Sequence, residues 1–480
     1  MQKSKFFQAF SSLEARIQNQ FIQYLEANYP AKKQSLRLLV YLHQHIRDAV
    51  KLEKALVAKA VFTQSAGKKS LERKLSDQLT DLFGLLEEFL LWLKIKDRQF
   101  GERAFLLIDI YKERGMEQLL QQQLNKTDKH LSQEQSKGMT YYLDRMRLAH
   151  HQYYIPQSFK LRSDPKKAVG VSVAMEQLDR FFVASKLRYS CELLSRGLIL
   201  QEHHPIHFLE VIEQFCGDLS AEEDPCIQLF GQMKQLLQYQ QRDDYFELKT
   251  QFFEQLAVLP TEERMILLGY LINFAAESIN KGQQAFIHEA FDLYKRGLAE
   301  GVFIEKGQLS DTQFNNIVNL ACRLKELAWA ESFIDYWQHY LDRSIKKSAL
   351  AIAHARIHFE KAQYEACIYT LQKVDFRHVY YALRSKTLLL RSFYELEEST
   401  DWIISFCQSF KTYLRRNTKI NREVKHYFLH FVQAVEKLCK KSTSSSPTLK
   451  SAIEGLRPMA YENWIMDKYH ALLGNTTPPP

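Results

Sequence analysis

Three groups of histidines carry spacings that metal sites use. The first lies in EHHPIHFLE, where His203 and His204 precede a proline and where His207 and Glu210 would share one side of a helix. Zinc accepts such ligands. Pro205, however, is typical of a first helical position, which favours an ordinary helix start. The sequence leaves open whether this cluster binds metal, and we predict no metal and no other cofactor.

Two further histidine sets lie one helical turn apart. His354 and His358 have the spacing of the HExxH zinc proteases, but Ala355 stands where the catalytic glutamate is required. Buried or surface histidines of an ordinary helix are the better interpretation. The second set, which shares one helical face and has the same interpretation, comprises Glu423, His426 and His430.

Phosphate-loop and hydrolase motifs give no firmer indication of an enzyme. The segment AGKKS at 66–70 resembles the end of a phosphate-binding loop, but Phe62 stands where the upstream glycine is needed. No GxSxG, GxGxxG or paired-carboxylate motif stands out among the scattered acids. We therefore predict that the protein is not an enzyme. A hydrolase or metalloenzyme whose catalytic residues are distant in sequence stays the third alternative.

A basic stretch at 411–428, KTYLRRNTKINREVKHYF, contains interleaved aromatic residues and a single acid, Glu423. Cations in this arrangement can bind phosphate groups. The alternative is a solvated helix face whose cations lie near a helix C-terminus, where they interact favourably with the helix dipole. If this stretch is a basic helix of a nucleic-acid-binding or regulatory protein, the contacting residues would be Arg415, Arg416, Lys419 and Arg422.

The composition indicates the elements that position these residues. Of 480 residues, 46% are hydrophobic and 25% are charged, which is ordinary for a folded protein with a buried core. Only 16 glycines and 11 prolines occur, so few tight turns are available and helices are favoured over strands. The formal charge of +9 permits weak attraction to nucleic acid or acidic lipid but requires neither.

Cysteine usage and hydropathy bear on location. The seven cysteines include no CxxC pair, which indicates buried free thiols in a reducing compartment. The N-terminus lacks an apolar run of the kind found in secretory signals. The most apolar segment, LFGLLEEFLLWL, is too short and too charged to span a bilayer. We therefore expect a cytoplasmic protein without membrane insertion.

Helical periodicity divides the chain. Residues 1–98 form a predicted helical region, in which Leu71, Leu75, Leu79, Leu82, Leu86 and Phe89 follow the helical period. From 99 to 441 short helices alternate with polar breaks, as in stacked helical hairpins. A Pro- and Gly-containing insertion at 158–172 is predicted to be a loop.

Aromatic residues recur within this second region. Trp329, Tyr364 and Trp402 are spaced 35 and 38 residues apart, and repeats of this length are typical of stacked helix pairs. We expect each ring to open the second helix of a pair and to fill the gap beneath the turn. The small residue three positions later, which would let the two helices approach closely, is Ser332, Cys367 or Ser405.

This pattern resembles tetratricopeptide-type repeats, with ARIHFEKAQYEACIYTLQKVD at 355–375 as the best instance. Cys367 stands where alanine is usual, and the repeat lengths vary. More broadly, the chain resembles a family of uncharacterised bacterial helical proteins with irregular repeats, through segments such as FNNIVNLACRLKELAWAESFIDYW and ENWIMDKY. The resemblance implies a fold but no activity.

The C-terminal part reads as a linker followed by a terminal helix. KSTSSSP and its neighbours at 442–448 have linker composition, and 449–480 are predicted to form a helix interrupted near Pro458 and a disordered tail. We expect Trp464 and Ile465 to cover the end of the last repeat.

Together these patterns predict an all-α protein, a right-handed superhelix of stacked hairpins (a tetratricopeptide-like α-solenoid) with a helical N-terminal cap. The expected function is that of a scaffold or adaptor whose concave groove binds a peptide or protein partner. Cations and aromatic rings there would suit an acidic or extended peptide. The residues that the repeat register points into the groove are Lys325, Arg356, Phe359 and Tyr394.

Overall fold

The structure, a computed structural model, describes residues 4–47, 53–62, 68–97, 100–154, 165–200, 204–218, 224–376, 378–440 and 446–474. Within these ranges the regular secondary structure is helical, with one short antiparallel hairpin formed by β1 (Ile304–Glu305) and β2 (Gln308–Leu309). The predicted all-α class is therefore confirmed. No helix in the described ranges has both the length and the apolarity needed to cross a membrane.

Contacts divide the chain into two compact units. The first combines Met1–Glu134 with Leu143–Gln177, and the second combines Gln135–Tyr142 with Leu178–Pro480. In the first unit the helices are α1 (Lys5–Ser12), α2 (Ala15–Asn28), α3 (Lys33–Arg47), α4 (Lys54–Val61), α5 (Lys68–Asp97), α6 (Phe100–Glu113) and α7 (Glu117–Gln133). Contacts thus group α6 and α7 with the N-terminal helices, whereas the sequence assigned them to the repeat region.

The core of the first unit forms around the long helix α5. Its predicted apolar stripe faces the core, since all six of these residues are at most 7% exposed. Phe6, Phe10 and Phe21 of α1 and α2 pack together, and Phe21 lies 5.3 Å from the Phe89 ring. The leucine period alone was therefore sufficient to identify the buried face of α5.

Two long helices contain residues of both units, α8 (Met139–Tyr154) and α9 (Pro165–Leu200). The predicted loop at 158–172 is wrong for its second half, because Pro165 begins α9 and the following residues are helical. Proline is favoured in the first turn of a helix, where its missing N–H has no intrahelical partner to lose. The first half of the predicted loop, 158–164, lies outside the described residues.

The second unit continues with a further series of helices, most of which contact the next helix in the chain. They are α10 (Leu209–Asp218), α11 (Pro225–Tyr239), α12 (Arg242–Glu254), α13 (Thr261–Asn280), α14 (Phe286–Ala299), α15 (Asp311–Arg323), α16 (Leu327–Trp337), α17 (Arg343–Glu360), α18 (Tyr364–Gln372), α19 (Val379–Glu395), α20 (Thr400–Arg416), α21 (Arg422–Cys439), α22 (Ser446–Glu454) and α23 (Glu462–Gly474).

The turns that follow α11, α13, α15, α17 and α19 each contain a residue in the left-handed conformation. After α15 this residue is Lys325, with φ 61°. Its N–H donates to Cys322 O at 3.1 Å, and the next N–H donates to Ala321 O at 2.9 Å. This hydrogen-bond pair is a Schellman motif, which satisfies the last carbonyls of the helix. Left-handed residues at the corresponding turns are Gln240, Gly282, Ala362 and Glu397.

The recurring aromatics each lie edge-on to a phenylalanine ring, but they differ in helical position and in exposure, which corrects the predicted register. Tyr364 begins α18 and packs against Phe359 at 5.3 Å, whereas Trp402 is 55% exposed. Cys367 is fully buried as expected, but Ser332 and Ser405 are exposed. In α16 the buried small residue is Ala330, which occupies the same helical position as Cys367 does in α18.

Helix α17 packs against both α15 and α19. Its buried face carries only small and branched residues near the middle, including Ala349, Ala353 and Ala355, all at most 1% exposed. Small side chains let neighbouring helices approach closely. Near the start of α19, the Tyr381 hydroxyl donates to Asp311 Oδ2 at 2.7 Å. This hydrogen bond connects α19 to α15.

Candidate functional site

A surface on α15, α17 and α19 contains four arginines, and we call it the arginine groove. Arg323 belongs to α15, Arg356 to α17, and Arg384 and Arg391 to α19. The four predicted groove residues lie on or next to the same three helices, with Lys325 in the turn that follows α15. The chain's own Tyr461 and Trp464 contact this surface.

Arg356 links two helices to the C-terminal segment. Its Nη1 donates to Asn319 Oδ1 of α15 at 2.6 Å. The same guanidinium also forms a hydrogen bond with the Tyr461 side chain. Burial alone would lower the pKa of Arg356, but the bonded Tyr461 hydroxyl and nearby acids outweigh burial and raise the pKa. Arg356 is therefore a fixed cation that already binds an aromatic hydroxyl.

Arg391 lies beneath the same segment and is enclosed by rings. Its side chain is 7% exposed, and its guanidinium carbon lies 4.1 Å from the Phe359 ring centre, 4.7 Å from that of Tyr461 and 5.2 Å from that of Trp464. Burial lowers its pKa. Its Nε has no hydrogen-bond partner among the described residues. Such a donor costs on the order of 1–3 kcal/mol if it stays unsatisfied.

Tyr461 occupies the groove in a strained backbone conformation. Its φ is 55°, in the left-handed region that costs a bulky residue roughly 1–2 kcal/mol. Burial raises the pKa of its hydroxyl, but the positive charges of Arg356, Arg391 and Arg384 have the larger combined effect, so the pKa is lowered. The groove thus favours negative charge at the position of this hydroxyl.

Trp464 lies one helical turn further along, at the start of α23. Its Nε1 donates to Glu395 Oε1 at 2.7 Å, and its ring packs edge-on against Tyr394 at 5.4 Å. Lys468 Nζ donates to the other oxygen of Glu395 at 2.6 Å. Two positions of α23 therefore bind one carboxylate of α19.

The charges of the groove are unbalanced. Glu360 and Glu395 are the carboxylates that interact electrostatically with Arg391. Each is already bonded to a lysine, Glu360 to Lys325 at 2.8 Å and Glu395 to Lys468 at 2.6 Å. The arginines consequently share their acidic neighbours with other cations, which leaves an excess of positive charge.

The four predicted groove residues have different roles in the structure. Lys325 and Arg356 contact Glu360 and Asn319 as described above. Phe359 is buried at 7% exposure beneath the Arg391 guanidinium, so it supports the surface instead of projecting from it. Tyr394 contacts Trp464, and burial raises its pKa to about 12.

The C-terminal segment is anchored beyond the groove by apolar side chains. Ile465, Tyr469, Met459 and Ala460 are at most 3% exposed and belong to the core formed by α20 and α21. That Trp464 and Ile465 together cover the end of the last repeat stays a prediction. The predicted linker at 442–448 is helical from Ser446 onward, since α22 begins there, while 441–445 and the tail 475–480 lie outside the described residues.

The basic stretch at 411–428 is not one helix, which corrects the prediction. Helix α20 ends at Arg416 and α21 begins at Arg422, because Asn421 caps the new helix by accepting from the Glu423 N–H at 2.8 Å. Arg415, Arg416, Lys419 and Arg422 therefore lie around a tight turn. All four are exposed, and no ion pair joins any of them to another described residue.

The histidines do not form a metal site in the described part of the chain. Helix α10 begins at Leu209, so Pro205 and His207 precede it and the expected helix start at the proline is wrong. His203 lies outside the described residues. No group of three or more His, Cys, Asp or Glu residues in the described ranges could hold a metal ion.

The other histidine sets have structural contacts. Burial lowers the pKa of His354, and His358 lies 2.9 Å from Gln363 Oε1 through its Nδ1. The rings of His426 and His430 lie 4.0 Å apart in a tilted arrangement, and His430 contacts Pro458 O. Residues 66 and 67 of AGKKS lie outside the described ranges, and Lys68 begins α5.

Comparison with known proteins yields no relative. No protein-family model matches the chain, no curated protein matches it, and no solved structure matches it. The functional argument therefore depends on the geometry alone.

Sequence reasoning named residues on or next to α15, α17 and α19 but missed Arg391 and Glu395. Arg391 and Glu395 are separated from Tyr461 by more than sixty residues, and no local pattern signals their contact. The only sequence signal was the pair of aromatic residues, Tyr461 and Trp464, that lie three positions apart near the C-terminus.

Proposed function

We propose that this protein is a non-enzymatic interaction scaffold whose arginine groove binds a peptide segment of a protein partner. The hairpins from α11 to α21 would form a tetratricopeptide-like solenoid, with α15, α17 and α19 on its concave face. Helix pairs that stack in this way bury a shared core and present an extended binding surface.

One observation carries this proposal. The segment from Tyr461 to Lys468 lies against the groove as a bound peptide would, through a hydroxyl on Arg356, a ring over Arg391 and an indole bonded to Glu395. Aromatic and arginine side chains in partly buried positions carry much of the binding energy in protein interfaces. These contacts support the proposal that the groove binds a peptide.

Charge reversal in the groove tests the proposal. Affinity capture with the double variant Lys325→Glu/Arg356→Glu should lose partners that the wild type retains, because both cations face the groove. The matched control is Arg415→Glu/Arg416→Glu, which reverses the same charge on another surface. Identical partner sets for wild type and the groove variant would remove the proposal.

The second candidate function is nucleic-acid binding at the turn between α20 and α21. Four exposed cations without an ion pair among the described residues favour it, since such charges release counterions from phosphates. Gel shifts at two salt concentrations test it. Binding should weaken steeply with salt and should be lost in Arg415→Glu/Arg416→Glu but kept in the groove variant.

A further inference from the structure

We propose that the external ligand of the arginine groove is a peptide with an acidic side chain followed three positions later by an aromatic ring, and that the chain's own Tyr461 and Trp464 occupy the groove until this peptide displaces them. The inference depends on the proposed function, because it specifies the ligand of the same surface. The acidic group of this peptide would bind between Arg356 and Arg391.

The charge distribution indicates why the ligand should be acidic. Four arginines of α15, α17 and α19 surround or adjoin the site, while Glu360 and Glu395 already bind Lys325 and Lys468. Tyr461 offers Arg356 a single phenol oxygen. A carboxylate or phosphate at this position would bring two or more negatively charged oxygens, which could form charge-assisted bonds to more than one arginine.

An unused donor gives the independent second observation. Arg391 is 7% exposed, and its Nε lacks a hydrogen-bond partner among the described residues although three rings enclose the guanidinium. Buried donors are nearly always satisfied in folded proteins. An acidic group with two or more oxygens could bridge Arg356 and Arg391 and so satisfy it.

The spacing of the ligand follows from the resident segment. Tyr461 and Trp464 are three positions apart, and both rings lie within 5.2 Å of the Arg391 guanidinium carbon. Trp464 also fits between Tyr394 and Glu395. A competing peptide that keeps the aromatic residue equivalent to Trp464 would retain these contacts. Its acidic residue would add negative charge at the position of Tyr461.

Displacement is feasible because the resident segment is held at Tyr461 by a strained backbone. Its φ of 55° is unfavourable for a bulky side chain, whereas the buried Ile465 and Tyr469 anchor α23 elsewhere. A protein whose site is mostly occupied by its own residues shows an apparent affinity reduced by the fraction of open molecules. An opened variant should therefore bind the external peptide more tightly.

The test uses the full-length chain and fluorescein-labelled peptides with the sequence of residues 457–468, RPMAYENWIMDK. Position 461 of the peptide is tyrosine, glutamate or phosphotyrosine. We expect the two acidic peptides to bind at least fivefold more tightly than the tyrosine peptide. The opened variant Tyr461→Gly/Trp464→Ala should bind them at least tenfold more tightly than wild type does.

Two control variants assign the site. In the opened variant, Arg391→Met should weaken the binding of the acidic peptides at least tenfold and that of the tyrosine peptide much less. Arg416→Met should change the affinity for none of these peptides. Equal affinity for acidic and tyrosine peptides would overturn the inference. Competition by inorganic phosphate alone as strong as that of the phosphotyrosine peptide would overturn the peptide assignment.

A measurement on wild type covers the case in which the opened variant does not fold. Hydrogen exchange of residues 461–465 should accelerate when the acidic peptide is added, because Tyr461 and Trp464 leave the groove. Unchanged exchange at saturating peptide would refute displacement. If captured partners still depend on Lys325 and Arg356 while acidic peptides show no preference, this inference fails and the proposed function stands.

Discussion

The indole nitrogen of Trp464 donates to a carboxylate oxygen of Glu395, 2.7 Å away and 69 residues earlier in the chain. Lys468 binds the second oxygen of the same group at 2.6 Å. Both contacts are partly buried, so the carboxylate is less screened by water than a surface ion pair would be. One side chain of α19 thus holds the first two turns of the terminal helix.

Glu395→Gln should loosen this attachment. Glutamine keeps one acceptor but loses the charge, so we expect a cost of about 1–2 kcal/mol in the local opening of α23. Hydrogen exchange of residues 462–470 measures this cost as faster exchange. The control Glu398→Gln removes an exposed carboxylate after α19 and should leave the exchange unchanged. Equal protection in both variants would contradict the assigned role of Glu395.

Two buried tyrosines should respond oppositely to loss of their hydroxyls. The Tyr245 hydroxyl has no hydrogen-bond partner among the described residues, whereas that of Tyr381 bonds to Asp311 and to Asn315. Tyr245→Phe should stabilise the protein by about 1 kcal/mol, and Tyr381→Phe should destabilise it by about 1–2 kcal/mol. Urea unfolding monitored by circular dichroism distinguishes them, and a shift of both in the same direction would count against these contacts.

Stability should fall in alkaline solution because of buried tyrosines. Burial raises the pKa of Tyr245 and Tyr270 above that of an unfolded tyrosine, which is about 10. In the folded chain these groups stay protonated, so above about pH 10 only the unfolded state gains charge and becomes favoured. We expect the urea midpoint to begin to fall near pH 8, because the pKa of the buried cysteines is raised as well and their thiols ionise first in the unfolded state, and to fall more steeply above pH 10 as unfolded tyrosines ionise. The drop should be smaller in Tyr245→Phe.

The left-handed turn residues predict opposite effects of two substitutions. Ala362 has φ 56°, and Ala362→Gly should stabilise the protein by about 0.5–1 kcal/mol because glycine adopts this conformation without strain. Gly282 has φ 89° with open space where a Cβ would lie, so Gly282→Ala should destabilise through the backbone alone by about 1 kcal/mol. Thermal unfolding measures both, and the control Ala351→Gly within α17 should lower stability.

The seven cysteines should react with a thiol reagent in two classes. Five are at most 2% exposed, namely Cys191, Cys226, Cys322, Cys367 and Cys407. Cys216 and Cys439 are partly exposed, and burial raises the pKa of each to about 11. At pH 8 these two should react slowly and first, and the remaining five should react only on unfolding. Fast labelling of more than two thiols in the native protein would contradict this order.

The sequence predicts helices well where one face is uniformly apolar. The stripe from Leu71 to Phe89 identified α5 and its buried side, because leucines three and four apart must meet the same neighbour. Pro165 shows the limit of such rules. It was read as part of a loop, yet its position at a helix start is one that proline favours.

The repeat register was less predictable because backbone conformation, not an aromatic residue, marks each turn. Lys325, Ala362 and Glu397 occupy equivalent left-handed positions but share no side-chain chemistry. Trp402 looked equivalent to Tyr364 and is largely exposed. Arg356 and Tyr461 are more than a hundred residues apart in the chain. No local pattern in a single sequence predicts a contact between residues so far apart.

Helix α19 belongs to two interiors at once. Its Tyr381 and Leu388 join the larger apolar cluster of the second unit, whereas its Leu383, Leu390 and Phe393 join the cluster shared with the C-terminal helices. Opposite faces of this one helix therefore pack into two separate apolar clusters. When the chain is stretched from its two ends in an optical trap, the helices after α19 should unfold first, as a separate extension step. The larger apolar cluster should unfold only at a higher force.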